Sequence, residues 1–475
     1  MKNKIFLILG ISIIFFSTSC TKKFDEINTN PNNPDTAPAE NVFAYSIQRV
    51  SSCFGTTEME YAASYVGHVT KGSYTDIPNY AQIPSTAIWN NVYGTIVPNL
   101  NYVIKKAQEE ENNNLEAASM ILKVYAFQLV TDIYGKVPYT EAGLAEEGII
   151  HPSYDSEQTI YTDLMQQLDI ANDMLVNSIA NGVISSDADL LYGGNIDRWK
   201  KFCNSLHLRL AIRISNIDQS TASSEISKII NDPSKYPIFE TNNDNAVFVY
   251  PGGDWVEPWT ARHRSIGDDW AAKPIIDTLV NFADPRIAFY ADTLDDGTYS
   301  GLPVGAQADT IYSRVNDLFV ENETGSVYFL TYSEIQFIIA EAAARNFITS
   351  DAQTAYEEAI TASCKVFNIG NADIANYLAN ANVAWDGDVN KIYIQKWISL
   401  FRQSWEAWAE MRRTDIPTLT PAVNSNYPGH NRVPFRFSYP DSEILLNSGN
   451  IPTDVNEVDN YWGYRIWWDT RTGVQ

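Results

Sequence analysis

The chain has 475 residues, with 58 Asp and Glu against 33 Lys and Arg, for a formal net charge of −25. Binding nucleic acid takes clustered cations to neutralise phosphates, so this balance excludes it and leaves neutral ligands, cations and basic proteins. The four cysteines are Cys20, Cys53, Cys203 and Cys364; no pair has metal-ligand spacing, and three remaining after Cys20 exclude a disulfide framework.

The first element is a leader. Lys2 and Lys4 precede the apolar run Ile5 to Phe16, which is too short for a hydrocarbon core that takes about 20 helical residues. It reads as a secretory signal. Ser17-Thr18-Ser19-Cys20 follows. Small residues directly before a cysteine resemble a bacterial lipoprotein signal, in which residues 1–19 are removed and Cys20 is lipidated. The competing reading is a plain signal peptide with an incidental cysteine. Loss of Lys2 and Lys4 leaves 31 Lys and Arg against 58 Asp and Glu, a net charge near −27. Residues 20–38, with the stretch TKKFDEINTNPNNPDTAP, form an Asn/Pro-rich tether without period. Residues 39–475 are expected to form one domain.

Helices dominate from there. The stretch 99–135 predicts two helices joined by Asn112-Asn113-Asn114, the second closing at Gly135. Ile160, Leu164, Leu168, Ala171 and Leu175 recur at helical steps. A further helix is expected to start at the cap Asp197 and to carry Trp199, Phe202, Leu206, Leu210 and Ile214. Thr331 and Glu334 have capping-box spacing. The helix they open pairs with the next, whose Ala355-Tyr356 and Ala359-Ile360 follow a tetratricopeptide-like pattern. One long helix is predicted over VNKIYIQKWISLFRQSWEAWAEMRR, with Ile394, Trp397, Phe401, Trp405, Trp408 and Met411 on a core face. Residues 236–330 and 417–475 are irregular, with strand-like runs at Ala246 to Tyr250 and Ser326 to Leu330.

The irregular part contains GGDWVEPWTARHRSIGDDW, three indoles in a run read as loop. Sugar rings present a C–H face to aromatic side chains and a hydroxyl rim to polar ones. Two segments have that composition. One holds Trp255, Trp259, Arg262 and Trp270; the other, 65–93, holds Tyr74, Asp76, Tyr80, Trp89 and Asn90. Packing competes with binding at each aromatic residue: Trp89 precedes a helix start, Trp270 precedes the run Ile275 to Phe282, and the indoles of 461–470 are assigned to packing.

Several blocks together resemble the SusD/RagB family of Bacteroidetes lipoproteins, the SusD-like second branch in particular. They are CTKKFDEINTNPNNP, DIYGKVPYTEA, WKKFCNSLHLRLAIRIS, FADPRIAFYA, LTYSEIQFIIAEAAAR, WISLFRQSWEAWAEMRRTDIP and RVPFRFSYPDSEILLNSGN. The resemblance implies a mainly α fold of tetratricopeptide-like helix pairs with an irregular, loop-rich ligand-binding subdomain. It implies that the two aromatic segments meet in space. It also implies an outer-membrane, surface-facing lipoprotein that passes glycans to a SusC-like TonB-dependent β-barrel, with peptide as the alternative cargo of the RagB branch. No catalytic residue, metal or cofactor is expected. A secreted glycoside hydrolase is the enzyme alternative, but any pair among 58 carboxylates would fit it. A pure protein adaptor is the third class. His68, His151, His207, His263 and His430 are read as structural, and Asp386 to Asn390 as a helix-start turn.

Overall fold

The structure, a computed structural model, describes residues 37–81, 86–453 and 462–475. The leader, Cys20 and almost all of the tether lie outside the described residues. No helix among the described residues is long and apolar enough to cross a membrane.

Helix α1 (Ala39–Thr57) runs into one π turn, Glu58–Ala62. Then come α2 (Val97–Glu109), α3 (Asn113–Tyr134), α4 (Glu157–Met174), α5 (Ile196–Arg213) and α6 (Gln219–Asn231). Each packs on the next, the stacking of a tetratricopeptide-like superhelix. The α2–α3 junction is as the sequence predicts: the Asn112 side chain caps α3 and Gly135, at φ 84°, ends it. The start of α5 differs. Asn195, not Asp197, caps it by accepting from the Arg198 N–H.

The irregular region holds α7 (Pro258–Ile266), α8 (Lys273–Phe282) and three short strands, and a fourth strand lies near the N-terminus. The strands are β1 (Val69–Thr70), β2 (Ala246–Val249), β3 (Trp270–Ala271) and β4 (Ser326–Leu330). β1 pairs with β3 and β2 with β4, both antiparallel. The helix α7 corrects the loop reading of 252–270. Pro258 sits in its first turn, where a missing N–H costs nothing, and the Glu257 carboxylate accepts from Thr260 N–H.

Four longer helices follow, α9 (Tyr332–Ala344), α10 (Ala352–Lys365), α11 (Val389–Ser399) and α12 (Ser404–Thr414), with short ones at Asn371–Leu378 and Asp441–Leu446. The long helix expected over 389–413 is therefore two. It breaks at Leu400–Gln403, where the Ser404 N–H is taken by the Glu58 carboxylate from the π turn at 3.1 Å. The core assignment survives the break: Trp397, Trp405 and Trp408 are all buried. Asp388 caps α11, so the 386–390 run is a helix-start turn as read.

Where α5, α9, α11 and α12 meet, the core is ionic. Arg209 donates twice to Glu334, Arg213 pairs with Glu406 and Glu410, and Arg413 bridges Glu341 and Glu410. All seven residues are buried. Burial alone would raise the Glu410 carboxyl; Arg413, Lys396 and Arg213 outweigh it and hold it well below the usual range. The capping box at Thr331 is thus half made. Thr331 accepts from Glu334 N–H, but the Glu334 carboxylate is given to Arg209. The terminal indoles pack as expected, with Trp462 and Trp468 buried.

Candidate functional site

The two aromatic segments do come together, and the short strands do it. In the β1–β3 ladder Thr70 lies opposite Trp270 and Val69 opposite Ala271. Immediately beyond, the Asp268 carboxylate accepts the backbone N–H groups of Gly72, Ser73 and Tyr74, each at 2.9 Å, and the Trp270 indole N–H at 2.9 Å. Burial works to raise this carboxyl, and the donated N–H groups outweigh it, leaving the carboxyl below the usual aspartate range. One side chain therefore fixes both segments.

A third strand of chain completes the surface. Ala308 N–H donates to Gly72 O at 3.0 Å, and Arg314 makes a bridge with Trp270. A Cβ on Gly72 would lie 2.1 Å from the Ala308 Cβ and 2.9 Å from the Trp270 Nε1, so this approach requires glycine. The Arg314 guanidinium sits 4.5 Å from the Trp270 ring centroid while donating to Gly267 O at 2.7 Å. This cation–π contact stiffens the half-buried indole. Tyr74 projects from the pinned turn at 60% exposure, and Ile311 is 58% exposed. Asp76 is exposed on the same loop.

The other predicted residues divide. Trp255 is 41% exposed, in a tight turn where it exchanges two backbone hydrogen bonds with Gly252. The helix α7, nine residues and so about 14 Å long, lies between it and Trp270 in the chain. Arg262 is committed to an ion pair with Glu60, which Lys71 also approaches at 3.8 Å. Asn90 is exposed beside Trp89 on the short helix Thr86–Asn91.

Three predicted contacts are instead core. Trp259 has no exposed surface; it lies between Phe319 and Phe401 with the Arg402 guanidinium 4.3 Å from its centroid. Tyr80 is also fully buried, its hydroxyl accepting from Ala422 N–H and its ring against Tyr65 and Trp462. Trp89 packs among Tyr93, Tyr134 and Tyr439. The physical reason is common to all three: chain more than 40 residues away closes over each ring. Sequence reasoning also passed over Arg314, and nothing local to IYSR signals a partner 44 residues back.

His263 is a strut. Its Nδ1 is 2.6 Å from Asp269 and its Nε2 3.2 Å from Glu321, which ties α7 to the start of β3.

The family model described as "Starch-binding associating with outer membrane", SusD-like, matches residues 31–440. The chain belongs to the SusD-like family. Among solved structures, one titled a chitin-binding protein is 26% identical, with a TM-score of 0.81, covering 91% of this chain and 100% of its own. A chitin-binding SusD homologue from Flavobacterium johnsoniae is 24% identical at a TM-score of 0.81, covering 91% and 99%. A SusD-like protein from Bacteroides thetaiotaomicron is 23% identical at 0.79, covering 92% and 100%. No curated protein matches the sequence. The SusD-like superhelix implied by the resemblance is thus the fold of this chain, and its family is one associated with the outer membrane.

Proposed function

We propose that this SusD-like chain binds a glycan on the surface formed by Tyr74, Trp270 and Arg314, without catalysing its breakdown. The observation that carries the reading is the Asp268 clasp, which holds an exposed tyrosine and a half-buried indole on one preorganised surface. Tyr74 supplies the apolar face for a sugar ring, and the exposed Asp76 and Ser73 supply partners for its hydroxyls. Trp255, across α7, is the second contact for a longer chain. Two of the similar structures are of chitin-binding proteins, and the family is described as starch-binding, which supports a polysaccharide.

In this reading residues 1–19 are a leader, Cys20 carries the lipid anchor, and 39–475 act as one surface-facing domain. The glycan passes to a SusC-like TonB-dependent β-barrel. Calorimetric titration of the protein lacking its first 20 residues, against starch, chitin and peptide fragments, tests the cargo. Saturable binding to one glycan class, with no reducing ends released, is the expected result. Binding to peptides alone would transfer the reading to peptide capture, and release of sugar would make the protein a hydrolase.

A further inference from the structure

A second constellation lies on the helical scaffold, built from three consecutive helices. Asp169 on α4, His207 on α5 and Glu225 on α6 converge so that one ligand atom from each falls within 4.8 Å of the others. His207 is only 1% exposed. Its Nδ1 is 3.7 Å from the Asp169 carboxylate and its Nε2 3.1 Å from that of Glu225. Close as that is, Nε2 has no hydrogen-bond partner of acceptable geometry. A buried imidazole nitrogen is thus aimed into the cluster, where it meets the Glu225 carboxylate as an imperfectly aligned contact rather than a well-formed hydrogen bond.

The cluster also opens onto space. Asp169 and Glu225 line a cavity of about 160 Å³ whose other polar walls include Gln166, Asp218 and Thr221. That is room for several waters. A cation already sits at the carboxylates: Lys228 Nζ is 2.9 Å from Asp169 and also contacts Glu225. Two carboxylates and one ammonium sum to −1. A divalent ion in place of the ammonium would bring the sum to zero, and Lys228 is already partly exposed.

We infer that Asp169, His207 and Glu225 form a binding site for a zinc-class divalent cation, which enters by displacing the Lys228 ammonium and takes its remaining ligand as water from the adjoining cavity. One imidazole with two carboxylates is a borderline ligand set that favours zinc over calcium or magnesium, which prefer oxygen alone. Three ligands and an open position make four-coordination. The ion would staple α4, α5 and α6, which otherwise meet there through the contacts of Lys228 and His207 with the two carboxylates. This departs from the reading of His207 as purely structural, and it stands independently of the glycan surface.

The test uses the protein from residue 21, free of any affinity tag, dialysed against zinc chloride and analysed for bound metal, with cobalt chloride as a spectroscopic probe. One equivalent of zinc, a rise in Tm with zinc concentration, and the strong visible bands of four-coordinate cobalt are expected. His207→Gln should weaken binding at least about tenfold, and Lys228→Met should strengthen it. If His207→Gln fails to fold by circular dichroism, Glu225→Gln replaces it. No stoichiometric zinc in the unaltered protein, zinc held only by Lys228→Met, or zinc held equally well without His207 would each overturn the proposal.

Discussion

Tyr74 and Trp259 are both aromatic residues in segments of similar composition, and their surroundings give them opposite roles. Tyr74 is largely exposed on a turn fixed through backbone N–H groups, so its ring is presented but not needed for packing. Tyr74→Ala should weaken glycan affinity about tenfold, or about 1.4 kcal/mol, with the Tm unchanged. Trp259→Ala should instead cost about 3–5 kcal/mol of stability by leaving a cavity between Phe319 and Phe401, as denaturant unfolding would measure. Asp268 belongs to both classes. Its carboxyl is held below the usual range, so the stability it contributes is present above the unfolded aspartate pKa of about 3.9 and is lost as pH falls through its lower folded value. Asp268→Asn should remove that acid-side dependence in melting curves and weaken binding, because the Tyr74 turn loses its charged acceptor.

At the scale of elements, the helix boundaries written in local chemistry were legible: Asn112 and Gly135 around α3, Asp388 before α11, Thr331 before α9. Those set by distant chain were not. The apolar period runs on unbroken from Ile394 to Met411, and only Glu58, brought from the π turn, explains why the helix breaks at 400–403. Glu58 has a consequence of its own. Burial raises its carboxyl to about 7, so its neutral form is retained on folding. Stability from this group is full below the unfolded glutamate pKa of about 4.3 and declines until pH passes about 7, by about 4 kcal/mol at 1.36 kcal/mol per unit. Chemical denaturation of Glu58→Gln between pH 4.5 and 7.5 should show that decline abolished. The ionic core was half legible, since the repeat glutamates Glu334 and Glu341 stand out in LTYSEIQFIIAEAAAR, but their partners Arg209 and Arg413 are more than 70 residues away. Arg413→Met should cost about 3–5 kcal/mol, because it strands the buried Glu341 and Glu410 carboxylates.

Over the whole molecule, the scaffold positions the site without forming it. Tetratricopeptide-like helices bury an ionic and aromatic core, and the irregular chain between α6 and α9 folds back onto residues 69–74 to make the Tyr74 surface. The meeting of those two segments came from family resemblance, since a two-residue ladder across 200 positions leaves no local trace; composition alone marked the aromatic residues without separating the exposed from the buried. In the proposed arrangement Cys20→Ala should move the protein from the membrane fraction to the soluble fraction of cells, as immunoblotting would show. The central claim is that the Tyr74 and Trp270 surface, not the buried indole, meets the glycan. Fluorescence titration of the unaltered protein, Tyr74→Ala, Trp270→Ala and Trp259→Phe with one glycan tests it directly. The account predicts about tenfold or greater loss for the first two variants and unaltered affinity for Trp259→Phe. Full affinity in Tyr74→Ala and Trp270→Ala together would contradict it.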